Sequence, residues 1–223
     1  MSALPDQGPD RHPPIAWREG GVPVSTRFDD PYFSLDGGLA EARHVFLAGN
    51  DLPARLRPGF HVAELGFGTG LNCLALAQVA TVPVIMTSFE AWPMSLAHLE
   101  RAHAAFPDLA DLSAQLRDGW GRQAIRVGLV DLRLVIGDVA QTLPEWRGQA
   151  DAWFLDGFSP ARNPGMWNDA IMAQVGRCTA PGGSFATYTA AGAVRRALSA
   201  AGFAVERRPG FGRKRHMSRG VRP

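Results

Sequence analysis

Hydrophobic and polar positions divide the chain into three stretches. Residues 1–22 contain no periodic apolar run. Their start, MSALPDQGPDRHPP, is polar and proline-rich, which predicts an unstructured lead-in. Residues 23–58 contain FDDPYF and then LAEARHVFLAGN, whose apolar spacing predicts a helix in an N-terminal extension. From residue 59 to 223 the period switches repeatedly. HVAEL (61–65), VIMTSFE (84–90), DLRLVIGD (131–138), DAWFLDGF (151–158) and SFATYT (184–189) read as strands. Helices are predicted at about Thr69–Ala80, Met94–Phe106, Asn168–Cys178 and Ala191–Gly202. Alternation of this kind predicts an α/β domain with a mostly parallel sheet. FAVERR and GRKRHMSR follow without a helix between them, which predicts an antiparallel hairpin at one edge of that sheet.

The 223 residues and 46% hydrophobic content suit one globular domain, or one domain with an appendage. No apolar run reaches membrane-spanning length, and the N-terminus lacks the apolar core of a signal peptide. Cys73 and Cys178 stand far apart and outside any CxxC pair, so they read as reduced core residues of a cytoplasmic protein, with no metal site expected. The net charge of +2 hides an asymmetry. From Arg177 onward nine Arg and one Lys face a single acid, Glu206, and the earlier part is net acidic. A basic C-terminal quarter fits either a polyanionic partner or a solvated face in an arginine-biased chain.

Candidate chemistry concentrates in VAELGFGTGLNCL, residues 62–74. A strand ends at Glu64-Leu65, Gly66 to Gly70 turn tightly, and a helix begins. The third glycine of a dinucleotide fingerprint is absent, because Leu71 stands at that position, and the spacing E-x-G-x-G-x-G favours a nucleoside ligand without a pyrophosphate. Four successive strands end in acids: Glu64, Glu90, Asp138 and Asp156. One such acid alone reads as a helix cap. Four on one rim beside a glycine loop suggest hydroxyl, amino and cationic ligand groups. Glu90, 24 residues after Gly66, suits ribose hydroxyls, and Asp138 suits an adenine amino group.

ELGFGTGLN, SFEAWPMSLAHL, DAWFLDGFSPARNPGMW, PGGSFATYTAAGAVRRAL and GFGRKRHM together resemble the methyltransferase domain of the bacterial MnmC proteins, a domain also found alone as MnmD. DDPYFSLDGGLAEARHVFLAGNDLPARL resembles that family's N-terminal extension. The resemblance covers about residues 25 to 221. It implies a class I, Rossmann-like fold dependent on S-adenosylmethionine (SAM), with methylation of a 5-aminomethyl group on 2-thiouridine at the tRNA wobble position. Fused members carry a flavin-dependent oxidase domain that releases the amine. Here the chain stops at Gly220-Val221-Arg222-Pro223 and no FAD site is visible, which fits either a stand-alone enzyme supplied with the amine by a separate enzyme or a piece cut from a fused protein; a monomer is expected.

Carried onto this sequence, the resemblance implies that Glu64, Gly66, Phe67, Gly68, Thr69, Gly70, Asn72, Glu90, Asp138 and Asp156 hold the cofactor. Asp156 is expected to orient the acceptor amine and take its proton, and Phe158 to wall the site or stack on the base. Tyr32 and Phe33 are candidates for a lid, or for packing on outer helices. For the tRNA anticodon loop the candidates are Arg195, Arg196, Arg207, Arg208, Arg213, Lys214 and Arg215, the last three alternating along a strand. Trp120, Trp153 and Trp167 are candidate stacking platforms, with Trp153 expected in the core and Trp167 in the site loop. Two rivals share the fold: an aminopropyltransferase and another amine or DNA-base methyltransferase. DGFSP departs from the [DNS]-PP-[YFW] motif of the DNA enzymes.

Overall fold

A computed structural model describes residues 12–223. Those residues open with a small antiparallel sheet of β1 (Ile15–Arg18), β2 (Val22–Ser25) and β3 (Asp30–Pro31). β1 falls inside the stretch read as a lead-in. It pairs along its whole length with β2, which is buried throughout, and no local periodicity announces that pairing. Residues 1–11 of the lead-in lie outside the described residues. The LAEARHVFLAGN helix is present but changes pitch twice: α1 (Gly38–Ala42) passes into a π turn (Arg43–Leu47) and a 3-10 turn (Ala48–Asn50).

The main sheet contains β4 (Phe60–Leu65), β5 (Val84–Glu90), β6 (Ala124–Val127), β7 (Val130–Ile136), β8 (Ala150–Leu155), β9 (Thr179–Thr187), β10 (Ala204–Pro209) and β11 (His216–Val221). Their order is β10-β11-β9-β8-β4-β5-β7-β6. The five from β9 to β7 are parallel. β11 and β10 extend one edge antiparallel, as the sequence pattern predicts. β6 adds an antiparallel strand at the other edge that the pattern did not reveal, since only Ile125 and Val127 alternate inward. In the register, Leu65 of β4 lies beside Phe89 of β5 and Leu155 of β8. The carboxyl ends of all three strands are therefore level. The chain order reverses across β4, and such a reversal opens a ligand crevice outside the carboxyl ends.

Helices cover both faces. α2 (Leu71–Val79) and α4 (Ala110–Asp118) pack with α1 against Val62, Phe154 and Leu132. α5 (Val139–Glu145), α6 (Asp169–Arg177) and α7 (Gly192–Ala200) pack against Leu65, Phe89, Trp153, Leu155 and Phe185. Alternate residues of β4 and β8 feed the two faces, as strand geometry requires. α3 (Leu96–His103) is capped by Ser95, whose hydroxyl accepts from the His98 N–H at 3.2 Å. α4 and α5 were not expected from the sequence. α4 buries only Ser113 and Leu116, and α5 contains Pro144 and buries only Leu143, so neither shows a clear apolar stripe. Cys73 and Cys178 are buried thiols, one in each core face. Among the described residues no helix is long and apolar enough to cross a membrane.

Candidate active site

A cavity of about 930 Å³ lies over the carboxyl ends of β4, β5 and β8, roofed by the N-terminal extension from Ser25 to Ala42. Its floor is the turn between β4 and α2. Gly66, Gly68 and Gly70 there have φ of +85°, +56° and +75°. At Gly66 a Cβ would stand 2.0 Å from the Asp156 carbonyl oxygen, so any side chain would push β4 and β8 apart at their ends. Phe67 is buried and stacks on Trp120 with ring centroids 5.6 Å apart. Trp120 is thus a support for the loop, not a free platform. The Thr69 carbonyl accepts from the buried His103 ring at 2.8 Å. Burial lowers the pKa of His103 and keeps it neutral, so the ring donates at Nε2 without introducing a charge.

The four acids differ in environment. Glu90 ends β5 at the cavity wall, and its two oxygens accept from the Gly68 and Trp92 backbone N–H groups at 3.0 and 2.8 Å. Burial raises its pKa and those bonds oppose the rise. The Phe67 and Ala91 N–H groups also oppose the rise, so the carboxylate sits among four backbone donors. Asp138 is exposed at the cavity rim. One oxygen caps α5 by accepting from the Ala140 N–H at 2.9 Å, which leaves the other open. Glu64 lies beneath the floor with no exposed surface. Its oxygens accept from Asn72 at 2.9 Å and Ser88 at 2.6 Å, and burial drives its pKa well above the carboxylate range. Direct ligand contact by Glu64 is therefore corrected, because its side chain enters the α2 face of the core.

Asp156 stands where β8 ends, and its Oδ2 accepts from Asn72 at 2.7 Å. One amide thus ties Asp156 to Glu64. Burial pushes the Asp156 pKa up to about 7, with Asn72 and Lys214 acting against the rise and Glu41 and Asp30 adding to it. The loop after Asp156 is fastened to the extension. The Phe158 ring stacks on Phe28 at 4.8 Å and meets the edge of Tyr32 at 5.0 Å. The Ser159 N–H donates to Asp30 at 2.7 Å, and Arg162 pairs with Asp29. Tyr32 and Phe33 both line the cavity, and Phe33 also packs on Phe106.

The nucleic-acid candidates separate. Trp167 is buried, with its indole N–H donating to the Phe158 carbonyl at 2.8 Å, so it braces the site loop from below and offers no stacking face. Trp153 is fully buried, as expected. Arg213, Lys214 and Arg215 belong to the loop between β10 and β11, not to a strand, so face alternation does not apply to them. Arg213 and Lys214 line the cavity. Arg207 and Arg208 are exposed on the edge strand β10, and Arg195 and Arg196 lie on α7, the first half-buried. Sequence reasoning missed Asp30, Glu41 and Tyr188, all of which line the cavity. Tyr188 follows the carboxyl end of β9, a usable signal. Asp30 and Glu41 arrive from the extension, and nothing local marks them.

A family model described as S-adenosyl-L-methionine-dependent methyltransferase matches residues 107–223. Proteins of Caulobacter sp. (strain K31) and Caulobacter vibrioides, each named tRNA 5-methylaminomethyl-2-thiouridine biosynthesis bifunctional protein MnmC, are 47% and 48% identical over 230 and 225 residues. Each alignment takes in 94% of this chain and 38% of the relative, so the chain spans well under half the length of these relatives. The crystal structure of MNMC2 from Aquifex aeolicus matches with a TM-score of 0.73 at 22% identity, over 98% of this chain and 72% of that one, and speaks for the fold. Since the matched model spans more than half of its residues, the chain belongs to the S-adenosyl-L-methionine-dependent methyltransferases.

Proposed function

We propose that this chain methylates the 5-aminomethyl group of a (2-thio)uridine at the wobble position of tRNA, giving 5-methylaminomethyl-2-thiouridine. The observation that carries the reading is Asp156, a carboxylate of pKa about 7 in the wall of an aromatic cavity beside the glycine loop. The names of relatives at 47% and 48% identity support the tRNA acceptor. The exposed arginines of the β10–β11 end support it too, since a free amine or aminopropyl acceptor would not need them.

The donor set fits SAM. Gly66, Phe67, Gly68, Thr69 and Gly70 shape the floor, and the Glu90 carboxylate at the cavity wall suits two ribose hydroxyls. The open oxygen of Asp138 suits an adenine amino group. Glu64 acts from beneath by holding Asn72. SAM, when bound, supplies an electrophilic methyl group. A primary alkylamine is protonated near neutrality, with an unperturbed pKa of about 10.4, and its nitrogen then has no free lone pair. Asp156 binds that ammonium, orients it and takes one proton. A pKa near the working pH suits this role. Phe158, held by Phe28 and Tyr32, walls the acceptor end and offers a ring face to the base. Arg195, Arg196, Arg207, Arg208, Arg213, Lys214 and Arg215 serve phosphates of the anticodon arm. The same proposal makes the reaction cytoplasmic and the protein monomeric.

The test is to incubate the protein with methyl-labelled SAM and tRNA carrying unmethylated 5-aminomethyl wobble uridine, alongside fully modified tRNA. Label is expected in the first tRNA alone, at the wobble nucleoside. Label in neither, with SAM still bound, would move the acceptor to a small amine.

A further inference from the structure

The acceptor end of the cavity contains an ion pair that the steps above do not use. Glu41 on α1 is 8% exposed, and its carboxylate accepts from Lys214 Nζ at 2.8 Å. The same Nζ stands 4.0 Å from the centre of the Tyr188 ring. The Tyr188 hydroxyl donates to the Gly157 carbonyl at 2.6 Å, which fixes the ring beside the site loop. Glu41, Tyr188, Lys214 and Asp156 line one cavity. A carboxylate on one side and an aromatic face on the other are the contacts that recognise an alkylammonium.

Lys214 is the only lysine among 23 basic residues. The one side chain ending in a primary alkylammonium therefore sits in the cavity of an enzyme read as an amine methyltransferase. Its side chain is 42% exposed and that of Glu41 is 11% exposed, so the cation can swing into water while the carboxylate cannot follow.

We propose that Glu41 and Tyr188 complete, beside Asp156, the subsite for the acceptor's primary ammonium, that Lys214 occupies it in the free protein, and that the acceptor binds by displacing Lys214. This rests on the amine-methyltransferase reading above. The exchange replaces one ammonium by another, so binding of the acceptor does not leave Glu41 buried and unpaired. The displaced Lys214 stays on a loop with exposed Arg213 and Arg215, where a phosphate can take up its charge. The device thus favours an amine carried on a polyanion over a free amine.

The experiment uses the full chain, with ethylammonium chloride as probe against sodium and tetraethylammonium chloride at equal ionic strength. Lys214→Ala is expected to melt below the wild type and to regain Tm in ethylammonium alone. Glu41→Gln/Lys214→Ala should show no such regain. No selective regain in Lys214→Ala overturns the proposal. Lys214→Met keeps the alkyl stem and serves if the alanine variant does not fold. With free 5-aminomethyl-2-thiouridine nucleoside as acceptor, Lys214→Met should lower KM several-fold. Glu41→Gln should raise KM about tenfold or more, the loss of a charge-assisted hydrogen bond. A raised KM in Lys214→Met overturns the proposal. A wild type that methylates neither nucleoside nor tRNA sinks the functional reading instead, and the Tm arm still decides the ammonium subsite.

Discussion

The two ends of the cavity are built from different materials. The floor beside Glu90 comes from consecutive backbone: a strand, a turn with three positive-φ glycines, and the start of a helix. Its polar contacts are backbone N–H groups from Gly68 and Trp92 on one carboxylate. The acceptor end is assembled from side chains on five separate segments, carrying Asp30, Glu41, Asp156, Tyr188 and Lys214. The first end is rigid because sheet register and glycine geometry define it. The second depends on an extension that must fold back over the sheet, through Phe28 on Phe158 and Asp30 on Ser159. Under the proposed function, recognition of the cofactor uses backbone, and discrimination of the acceptor uses side chains brought from a distance.

Substitutions should separate the two ends. The largest effect is expected from Asp156→Ala. Turnover should fall by about 10²–10⁴-fold, the range of a general base, while SAM affinity measured by calorimetry changes only slightly. Equal loss of both would make Asp156 a cofactor or folding residue. Gly66→Ala is expected to damage both ends together, because its Cβ would collide with the Asp156 carbonyl at a φ of +85°. Strain of about 1–3 kcal/mol or more should lower Tm, and SAM binding should weaken with it.

Glu90→Ala should weaken SAM by roughly 1.5–3 kcal/mol, the worth of hydrogen bonds to a charged group, and leave turnover at saturating SAM little altered. Unchanged affinity would refute its ribose role.

The acceptor end should also respond to pH. The raised pKa of Asp156 means that the native state holds a proton that the unfolded chain releases between its ordinary value of 3.8 and about 7. Stability from this group is therefore full below 3.8 and is lost as pH rises through 7. Asp156→Asn should melt above the wild type at pH 8, with the gap closing toward pH 4. In kcat/KM the acid limb should bend near pH 7, and Asn72→Ala should move that bend upward, since Asn72 holds the Asp156 pKa down. The smallest effect is expected from Arg213→Ala. The slope of tRNA affinity against salt should fall by about one counterion, with SAM binding untouched.

Much of the fold was legible because it follows from local rules. VIMTSFE matches β5 end to end, and the strand-turn-helix around Gly66 matches β4 to α2, since apolar runs and glycines carry their own geometry. Elements with little buried surface escaped: β1 and β6 are held by pairing, and α4 and α5 bury only two and one side chains. Trp167 shows the limit for side chains. An aromatic in a site loop can face a ligand or brace the loop, and only packing decides which.

By itself the sequence determined the parallel α/β core, the glycine floor, the acids Glu90 and Asp156 at strand ends, and the basic C-terminal quarter. Each is encoded in residues close along the chain. The tertiary structure alone decided that Glu64 is buried beneath Asn72, that Asp138 caps α5, and that Glu41 meets Lys214 over Tyr188. Those outcomes join residues as far as 173 positions apart. Burial and partners fix what such groups can do, and neither exists until the chain has folded.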